Sequence, residues 1–461
     1  MINMNKNLFS LLVLSIAIMM VSCGQQAEKN ENNTKDKMTI TSHYDWSRNA
    51  NIYEVNIRQY TEEGTFDAFT KHLPRLKKMG VDILWIMPIH PVGELNRKGS
   101  LGSYYAVKDY KAVNPEFGNL EDFKEMVNEA HKLGMKVIID WVANHSAWDN
   151  IWVEEHIDYY EKDSSGKFVS PFDWTDVISF DYNNPDMRAA MKDALNYWLK
   201  ETDIDGYRCD VAGMVPVDFW EDARAEMEQI KPVFMLAEDE DNTALMQKAF
   251  DMNYAWKLHH LLNGIYKGEK KAKDLWDYIL WSGTTFPEDM YRMNFITNHD
   301  ENSWNGTIEE RMGDGAEAFA VIAWTVPGMP LIYSGQEAGL DKRLEFFEKD
   351  TINWSDIKYA DFYTKLNSLK KVNKALLSGN AGGMMLQISP NQNENIAAYS
   401  REKDGNQVVV IANLSAEPQE FTIEGDLVNG EFNNYFTNES ANLNSGTKFD
   451  LKPWEYFVFV K

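Results

Sequence analysis

The chain has 461 residues and a formal net charge of −25, and 44% of its residues are hydrophobic. That length and apolar content suit a large barrel with a smaller second module better than one ordinary domain. The negative charge argues against a nucleic-acid-binding surface, because phosphate recognition depends on clustered lysine and arginine.

Residues 1–22 are predicted to be an export signal. Lys6 supplies a positive start, and the apolar stretch 8–21 is too short for a comfortable membrane span. The run Val21-Ser22-Cys23-Gly24 resembles a bacterial lipobox, in which Cys23 becomes the lipidated N-terminus; a plain secretory signal is the alternative if Cys23 is not modified. Residues 23–45 are polar and predict a flexible tether. We therefore expect an exported cell-envelope lipoprotein, membrane-anchored through Cys23 and facing the periplasm or attached to the outer membrane.

Strand-like runs then alternate with amphipathic helical stretches, which is typical of βα units around a parallel sheet. The predicted strands are Ile52–Ile57, Val81–Ile89, Met135–Val142, Gly206–Asp210, Val233–Glu238, Asn294–Asp300 and Leu331–Tyr333, with a further strand, the sixth in order, placed within 250–266. The predicted helices include Phe66–Lys78, Glu121–Leu133 and one that Asn184 and Pro185 open and that runs to about Lys200. The pattern predicts an α/β fold, a (β/α)8 TIM barrel over residues 46–378.

Two segments depart from the βα pattern. Residues 146–184 form a short insert after the third strand, without a clear helix but rich in aromatic residues, and such long connections are more often functional than idle. The aromatic residues of this insert are Trp148, Trp152, Tyr159, Tyr160, Phe168, Phe172 and Trp174. Residues 379–461 contain short strands separated by polar turns, which predict a C-terminal antiparallel β-sandwich.

Three carboxylates, Asp210, Glu238 and Asp300, end apolar strand-like runs. A carboxylate at the edge of an apolar core is unfavourable, so three in one kind of position call for a chemical explanation. The carboxyl ends of parallel barrel strands converge on one mouth, where the catalytic groups of such barrels lie. The pattern predicts acid–base chemistry on a polar, uncharged substrate.

Four sequence blocks contain these carboxylates and their neighbours. They are Asp-Trp-Val-Ala-Asn-His at 140–145, Gly-Tyr-Arg-Cys-Asp at 206–210, Ala-Glu-Asp at 237–239 and Phe-Ile-Thr-Asn-His-Asp at 295–300. In this order and spacing they resemble the four motif regions of the α-amylase family, glycoside hydrolase family 13. The resemblance covers roughly Ile52 to the C-terminus. It implies a glycosidase that cleaves α-1,4-glucosidic bonds of starch, maltodextrins or maltooligosaccharides with retention, and no cofactor for the chemistry.

The resemblance assigns roles to residues within these blocks. Asp210 would be the nucleophile, Glu238 the general acid and later the general base, and Asp300 a stabiliser of the oxocarbenium-like transition state. Arg208 lies two residues before Asp210 and therefore on the same side of a strand. We expect its guanidinium to contact Asp210 and keep it ionised.

Further site residues also come from the resemblance. His145 and His299 match the family's substrate-binding histidines, and Tyr105 fits the tyrosine that stacks on the same sugar ring. Asp140 is expected to brace Arg208 rather than to react. Asn144 matches a calcium ligand, so a structural Ca²⁺ is an option that the sequence leaves open.

Three positions depart from the family pattern. Gly213 and Met214 stand where many α-amylases carry Lys-His, and Trp304 stands where an arginine is common in oligosaccharide-active relatives. The preferred chain length of the substrate therefore stays open. The alternatives are an α-glucosidase or 4-α-glucanotransferase on the same scaffold, or a non-catalytic starch-binding lipoprotein. The three intact carboxylates argue against the last of these, because a binding protein has no need of them.

Overall fold

The computed structural model describes residues 43–389, 391 and 393–461. The predicted export signal and Cys23 lie outside these residues. Within them, we find no helix with the length and apolar content that a membrane crossing requires.

Eight parallel strands close into a barrel in the order β1-β10-β9-β8-β7-β6-β3-β2. The strands of the barrel and of its insert are β1 (Ile52–Val55), β2 (Ile83–Ile86), β3 (Lys136–Trp141), β4 (His145–Ala147), β5 (Val177–Ser179), β6 (Gly206–Cys209), β7 (Phe234–Ala237), β8 (Met252–Tyr254), β9 (Tyr291–Asn294) and β10 (Met329–Tyr333). Every residue of β2 is buried, as expected for strands covered on both faces. The predicted TIM barrel is confirmed, and β8 lies in the region where the sixth strand was placed.

Helices cover the outside of the barrel and connect its strands. They are α1 (Ile57–Tyr60), α2 (Phe66–Thr70), α3 (Leu73–Lys78), α4 (Leu120–Lys132), α5 (Ile151–Glu155), α6 (Pro185–Thr202), α7 (Val217–Met227), α8 (Leu245–Lys248), α9 (Trp256–Tyr266), α10 (Leu275–Thr285), α11 (Ile308–Met312), α12 (Ala316–Thr325) and α13 (Ala360–Val372). Asn184 caps α6 by accepting hydrogen bonds from the backbone N–H groups of the first turn, as its sequence predicts.

Three predicted elements need correction. The helix expected over residues 66–78 is two helices, because Pro74 favours the first turn of a new helix. The insert does contain a short helix, α5, whose N-cap Asn150 accepts from the N–H of Trp152. The strand expected to run to Asp300 ends at Asn294, so Asp300 follows a loop and opens a π-helical turn, Glu301–Asn305.

The C-terminal part forms two antiparallel sheets around a core of its own. Its strands are β11 (Met385–Gln387), β12 (Ile396–Lys403), β13 (Asn406–Asn413), β14 (Gln419–Thr422), β15 (Gly430–Asn434), β16 (Ser440–Leu443), β17 (Lys448–Leu451) and β18 (Tyr456–Val460). Six of them form one sheet, and β14 pairs with β17 in the other. Ile411 of the large sheet and Phe421 of the small one share a buried cluster. The predicted antiparallel C-terminal module is confirmed.

The C-terminal module is joined to the barrel by buried polar contacts. Arg401 of β12 donates to the backbone carbonyl of Thr325 in the barrel at 3.0 Å. The Tyr399 hydroxyl lies 2.6 Å from the hydroxyl of Thr325, at the end of α12. These contacts satisfy polar groups that would otherwise be buried without partners.

Candidate active site

One fully buried guanidinium organises the carboxylates at the mouth of the barrel. Arg208 of β6 donates from Nη1 to Asp140 Oδ1 at 2.8 Å and to Asp210 Oδ1 at 3.2 Å. Its Nη2 lies 2.8 Å from Glu238 Oε2. Asp210 and Glu238 directly follow β6 and β7, two neighbouring parallel strands. Asp140 contacts Arg208 without lining the cavity, as a residue that braces Arg208 would.

The backbones of β6 and β7 approach each other closely, and the residue after Asp210 has a strained conformation. A Cβ on Gly206 would stand 1.9 Å from the Phe234 carbonyl oxygen, so β6 can approach β7 only with glycine there. Val211 has a φ of 37°, a left-handed conformation that β-branched residues rarely adopt. Its N–H donates to Glu238 Oε2 at 2.9 Å. The strained residue thus fixes the Glu238 carboxylate beside Asp210.

The ionisation of Asp210 differs from the expectation. Burial and the neighbouring Glu238 carboxylate raise the pKa of Asp210 well above its ordinary value, while Arg208 acts to lower it. Arg208 is shared among three carboxylates, so its positive charge does not fully offset the effect of burial on the pKa of Asp210. Asp210 therefore retains its proton to a higher pH than an isolated carboxyl does.

The two predicted substrate-binding histidines differ in their protonation. Burial lowers the pKa of His145 to about 3, so this ring is neutral at neutral pH. Burial also acts to lower the pKa of His299, but Asp300 and Glu54 outweigh it and raise that pKa to about 9. Asp300 Oδ2 lies 3.3 Å from His299 Nε2. The site thus pairs one neutral imidazole with one that is positively charged.

Tyr105 links His299 to the Arg208 cluster. Its hydroxyl donates to Asp140 Oδ2 at 3.1 Å and lies 2.9 Å from His299 Nε2. Its ring stacks against that of His299, with centroids 5.6 Å apart, and against Phe346 at 6.2 Å. Tyr105 is therefore held by two ring contacts and at its hydroxyl.

A cavity of about 490 Å³ brings the predicted site residues together. Those that line it are Tyr105, His145, Asp210, Glu238, His299 and Asp300. Trp174 of the insert lines it too and contacts the His145 ring edge-on at 5.4 Å. Arg208 and Asp140 are fully buried and act on the cavity through the carboxylates and Tyr105.

Several charged residues at the site are not among those predicted from the sequence, including Glu54 and Lys98. Glu54 lies in the middle of β1 and contacts His299; a single acid inside an apolar strand was the signal for it. Lys98 lines the cavity with its Nζ 3.1 Å from Asp176 Oδ1. It lies in a polar loop, where no sequence pattern marks it.

The three departures from the family pattern have clear structural settings. A Cβ on Gly213 would stand 2.0 Å from Asp239 Oδ2, so a side chain there requires Asp239 to move. Met214 is 43% exposed and lines a second cavity, together with Asn144. Trp304 is 52% exposed at the main cavity, and its ring lies 5.2 Å from that of Phe346.

Asn144, the candidate calcium ligand, contacts His145. Its side-chain N–H donates towards His145 Nδ1 at 3.2 Å. In the part of the chain that the structure describes, no three or more His, Cys, Asp or Glu side chains are grouped to hold a metal ion. Calcium sites are built from several oxygen ligands, commonly carboxylates. Calcium binding at Asn144 stays a prediction of the sequence.

Comparisons with known proteins agree with this geometry. Residues 28–176 and 162–374 match the family model described as "Alpha amylase, catalytic domain", and residues 386–458 match "Maltogenic Amylase, C-terminal domain". The chain is 27% identical over 409 residues to the alpha-amylase MalA of Haloarcula japonica, which covers 84% of this chain and 59% of that protein. The chain thus spans less than two thirds of that relative.

The solved structures that match this chain align with it over nearly the full length of both proteins. An alpha-amylase from Lactobacillus plantarum superposes with a TM-score of 0.81 and 30% identity, covering 90% of this chain and 99% of that one. The noncanonic maltogenic alpha-amylase AmyB from Thermotoga neapolitana gives a TM-score of 0.82 and 28% identity, with the same coverage. With both family models matching in chain order, this protein belongs to the α-amylase family of glycosidases, glycoside hydrolase family 13.

Proposed function

We propose that this protein hydrolyses α-1,4-glucosidic bonds of starch, maltodextrins or maltooligosaccharides with retention of the anomeric configuration. One observation carries the proposal: Asp210 and Glu238 contact the same buried guanidinium and line one cavity. The names of the relatives, an alpha-amylase and a maltogenic alpha-amylase, support the same substrate class.

In the proposed first step, Asp210 attacks the anomeric carbon while Glu238 gives its proton to the glycosidic oxygen. This step requires Asp210 to be ionised and Glu238 to be protonated when the substrate is bound. Water then attacks the glycosyl-enzyme, and Glu238 accepts its proton. Asp300 and the His299 cation hold hydroxyls of the distorted sugar, and the neutral His145 ring, whose Nδ1 accepts from Asn144, can donate from Nε2.

The rim of the cavity supplies apolar surface for sugar rings. Trp304, Phe346 and Phe347 form a ring cluster with centroid separations of 5.2 to 5.8 Å. Aromatic faces suit the C–H faces of pyranoses, and the exposed Trp304 offers the largest such face. Its presence in place of arginine favours recognition by stacking over recognition by charge.

Product analysis on maltoheptaose tests the proposed function. We expect shorter maltooligosaccharides by chromatography and the α-anomer as the first product by proton NMR. Initial formation of the β-anomer would contradict retention. Products longer than the substrate would indicate a glucanotransferase, release of glucose alone an α-glucosidase, and binding without cleavage a starch-binding protein.

We also propose that the protein acts at the cell envelope as a lipoprotein modified at Cys23. The support is the sequence alone: an apolar segment with a positive start, a lipobox-like run and a polar tether. Cells grown with a radiolabelled fatty acid should yield labelled protein. A Cys23→Ser variant that is labelled equally would contradict the proposal.

A further inference from the structure

Glu54 is a buried carboxylate with a single strong partner. It lies in β1, is fully buried, and its Oε1 is 2.5 Å from His299 Nδ1. Its Oε2 has no hydrogen-bond partner among the residues that the structure describes. A buried carboxylate is unfavourable unless it is paired, so its interaction with His299 dominates its energetics.

The hydrogen bonds around His299 determine its protonation. Nδ1 faces the Glu54 carboxylate, which only accepts when ionised. Nε2 faces Asp300 Oδ2 at 3.3 Å and the Tyr105 hydroxyl at 2.9 Å. Tyr105 directs its single proton to Asp140, so it too can only accept from His299. Both ring nitrogens must therefore carry protons, which makes His299 an imidazolium.

The charges facing His299 come from several elements of the barrel. Glu54 approaches from β1, Asp300 and the Tyr105 hydroxyl from loops at the mouth, and Arg208 from β6 opposes the positive charge of the ring. The edge-on Trp85 ring of β2, with its centroid 5.9 Å from that of His299, contributes no net charge. Asp300 faces the cavity, where a bound sugar would compete for it, whereas Glu54 lies behind the ring and keeps its contact.

We propose that Glu54 is a positioning residue that holds His299 as a doubly protonated ring, with its Nε2–H directed to the Tyr105 hydroxyl and to Asp300. The effect of this ring on a bound sugar rests on the proposed function, but the protonation of His299 does not. Without the Glu54 charge, the ring would keep one proton and could present a bare Nε2 to the Asp300 carboxylate. Two acceptors would then face each other beside the reacting sugar.

The first test is the pH dependence of kcat and KM for the isosteric variant Glu54→Gln on maltoheptaose. The wild-type imidazolium is lost as the pH rises through about 9, so activity should fall on that alkaline limb. In Glu54→Gln we expect this limb at least one pH unit lower and kcat reduced at least about tenfold, with KM changed less than about threefold.

Glu337→Gln is the matched control. Glu337 is equally buried, contacts Tyr53 and Arg75, and likewise has one oxygen without a hydrogen-bond partner among the described residues. Its loss should change thermal stability but leave the alkaline limb in place. In a His299→Gln background, Glu54→Gln should have no further effect on kcat, because it acts through the ring that is absent.

A second measurement does not depend on the substrate. An NMR titration of histidine-labelled protein, with the His299 signal identified by its loss in His299→Gln, should give a midpoint near 9 in the wild type. The midpoint should fall by at least about one pH unit in Glu54→Gln. A wild-type midpoint at or below 6.5, or an unchanged midpoint in the variant, overturns the proposal even if Glu54→Gln folds poorly. A shifted midpoint in a protein that does not cleave maltooligosaccharides would contradict the proposed function alone.

Discussion

Asp210→Asn is expected to lower kcat on maltoheptaose by on the order of 10⁴-fold or more, with the fold retained. An amide is nearly isosteric with the carboxylate and can still contact Arg208, but it cannot form the glycosyl-enzyme at a useful rate. Initial rates by reducing-sugar assay, together with the thermal unfolding midpoint, measure the two effects separately.

Asp205→Asn is the control for this prediction. Asp205 directly precedes β6 at its other end, is buried, and pairs with His131 and Lys136 away from the cavity. We expect its removal to reduce stability and to leave kcat within about threefold of the wild type. Similar losses of activity in both variants would mean that Asp210 matters to the fold and not as the nucleophile.

Glu238→Gln is expected to separate the two chemical steps. General acid–base catalysis contributes about 10²- to 10⁴-fold, so kcat on maltoheptaose should fall by that amount. An aryl maltooligoside with an acidic phenol needs no protonation on leaving, so its first step should stay fast. The second step lacks its base, and a glycosyl-enzyme should accumulate.

Mass spectrometry of the acid-quenched Glu238→Gln variant should show the added sugar on the peptide that contains Asp210. Azide, which needs no base, should restore turnover of the aryl substrate. Equal losses on the aryl and sugar leaving groups, without an adduct, would exclude Glu238 as the general acid.

The sequence predicts the fold and the Asp210–Glu238 half of the site because both depend on strand ends. Each strand-like run ends at the acid, and β6 and β7 stop one residue before it in the structure. Asp300 differs because an apolar run of residues predicts burial, but it does not predict that the run hydrogen-bonds to neighbouring strands. Phe295 and Ile296 are fully buried, yet β9 leaves the sheet at Asn294. The prediction of a third strand-end carboxylate was therefore wrong, although Asp300 still reaches the cavity.

Other features depend on contacts between residues far apart in the chain. The helix α5 has five residues and no buried side chain, so hydrophobic periodicity could not reveal it. The pairing of Arg208 with Asp210 follows from the alternation of side chains along a strand. That Arg208 also contacts Asp140 and Glu238 depends on how β3, β6 and β7 lie side by side in the barrel. Glu54 shows the same limit, because its partner His299 is 245 residues away.

The buried side chains of β12 bear on how this protein can exchange parts with its relatives. Arg401 donates to the Thr325 carbonyl at the end of α12, and the Tyr399 hydroxyl shares a hydrogen bond with the Thr325 hydroxyl, so the barrel relies on the C-terminal module for part of its own hydrogen bonding. Recombination or engineered fusion at the boundary would separate donors from acceptors unless the incoming module carried equivalent side chains. The two modules are therefore expected to be inherited as a unit, even though only the barrel bears the catalytic groups.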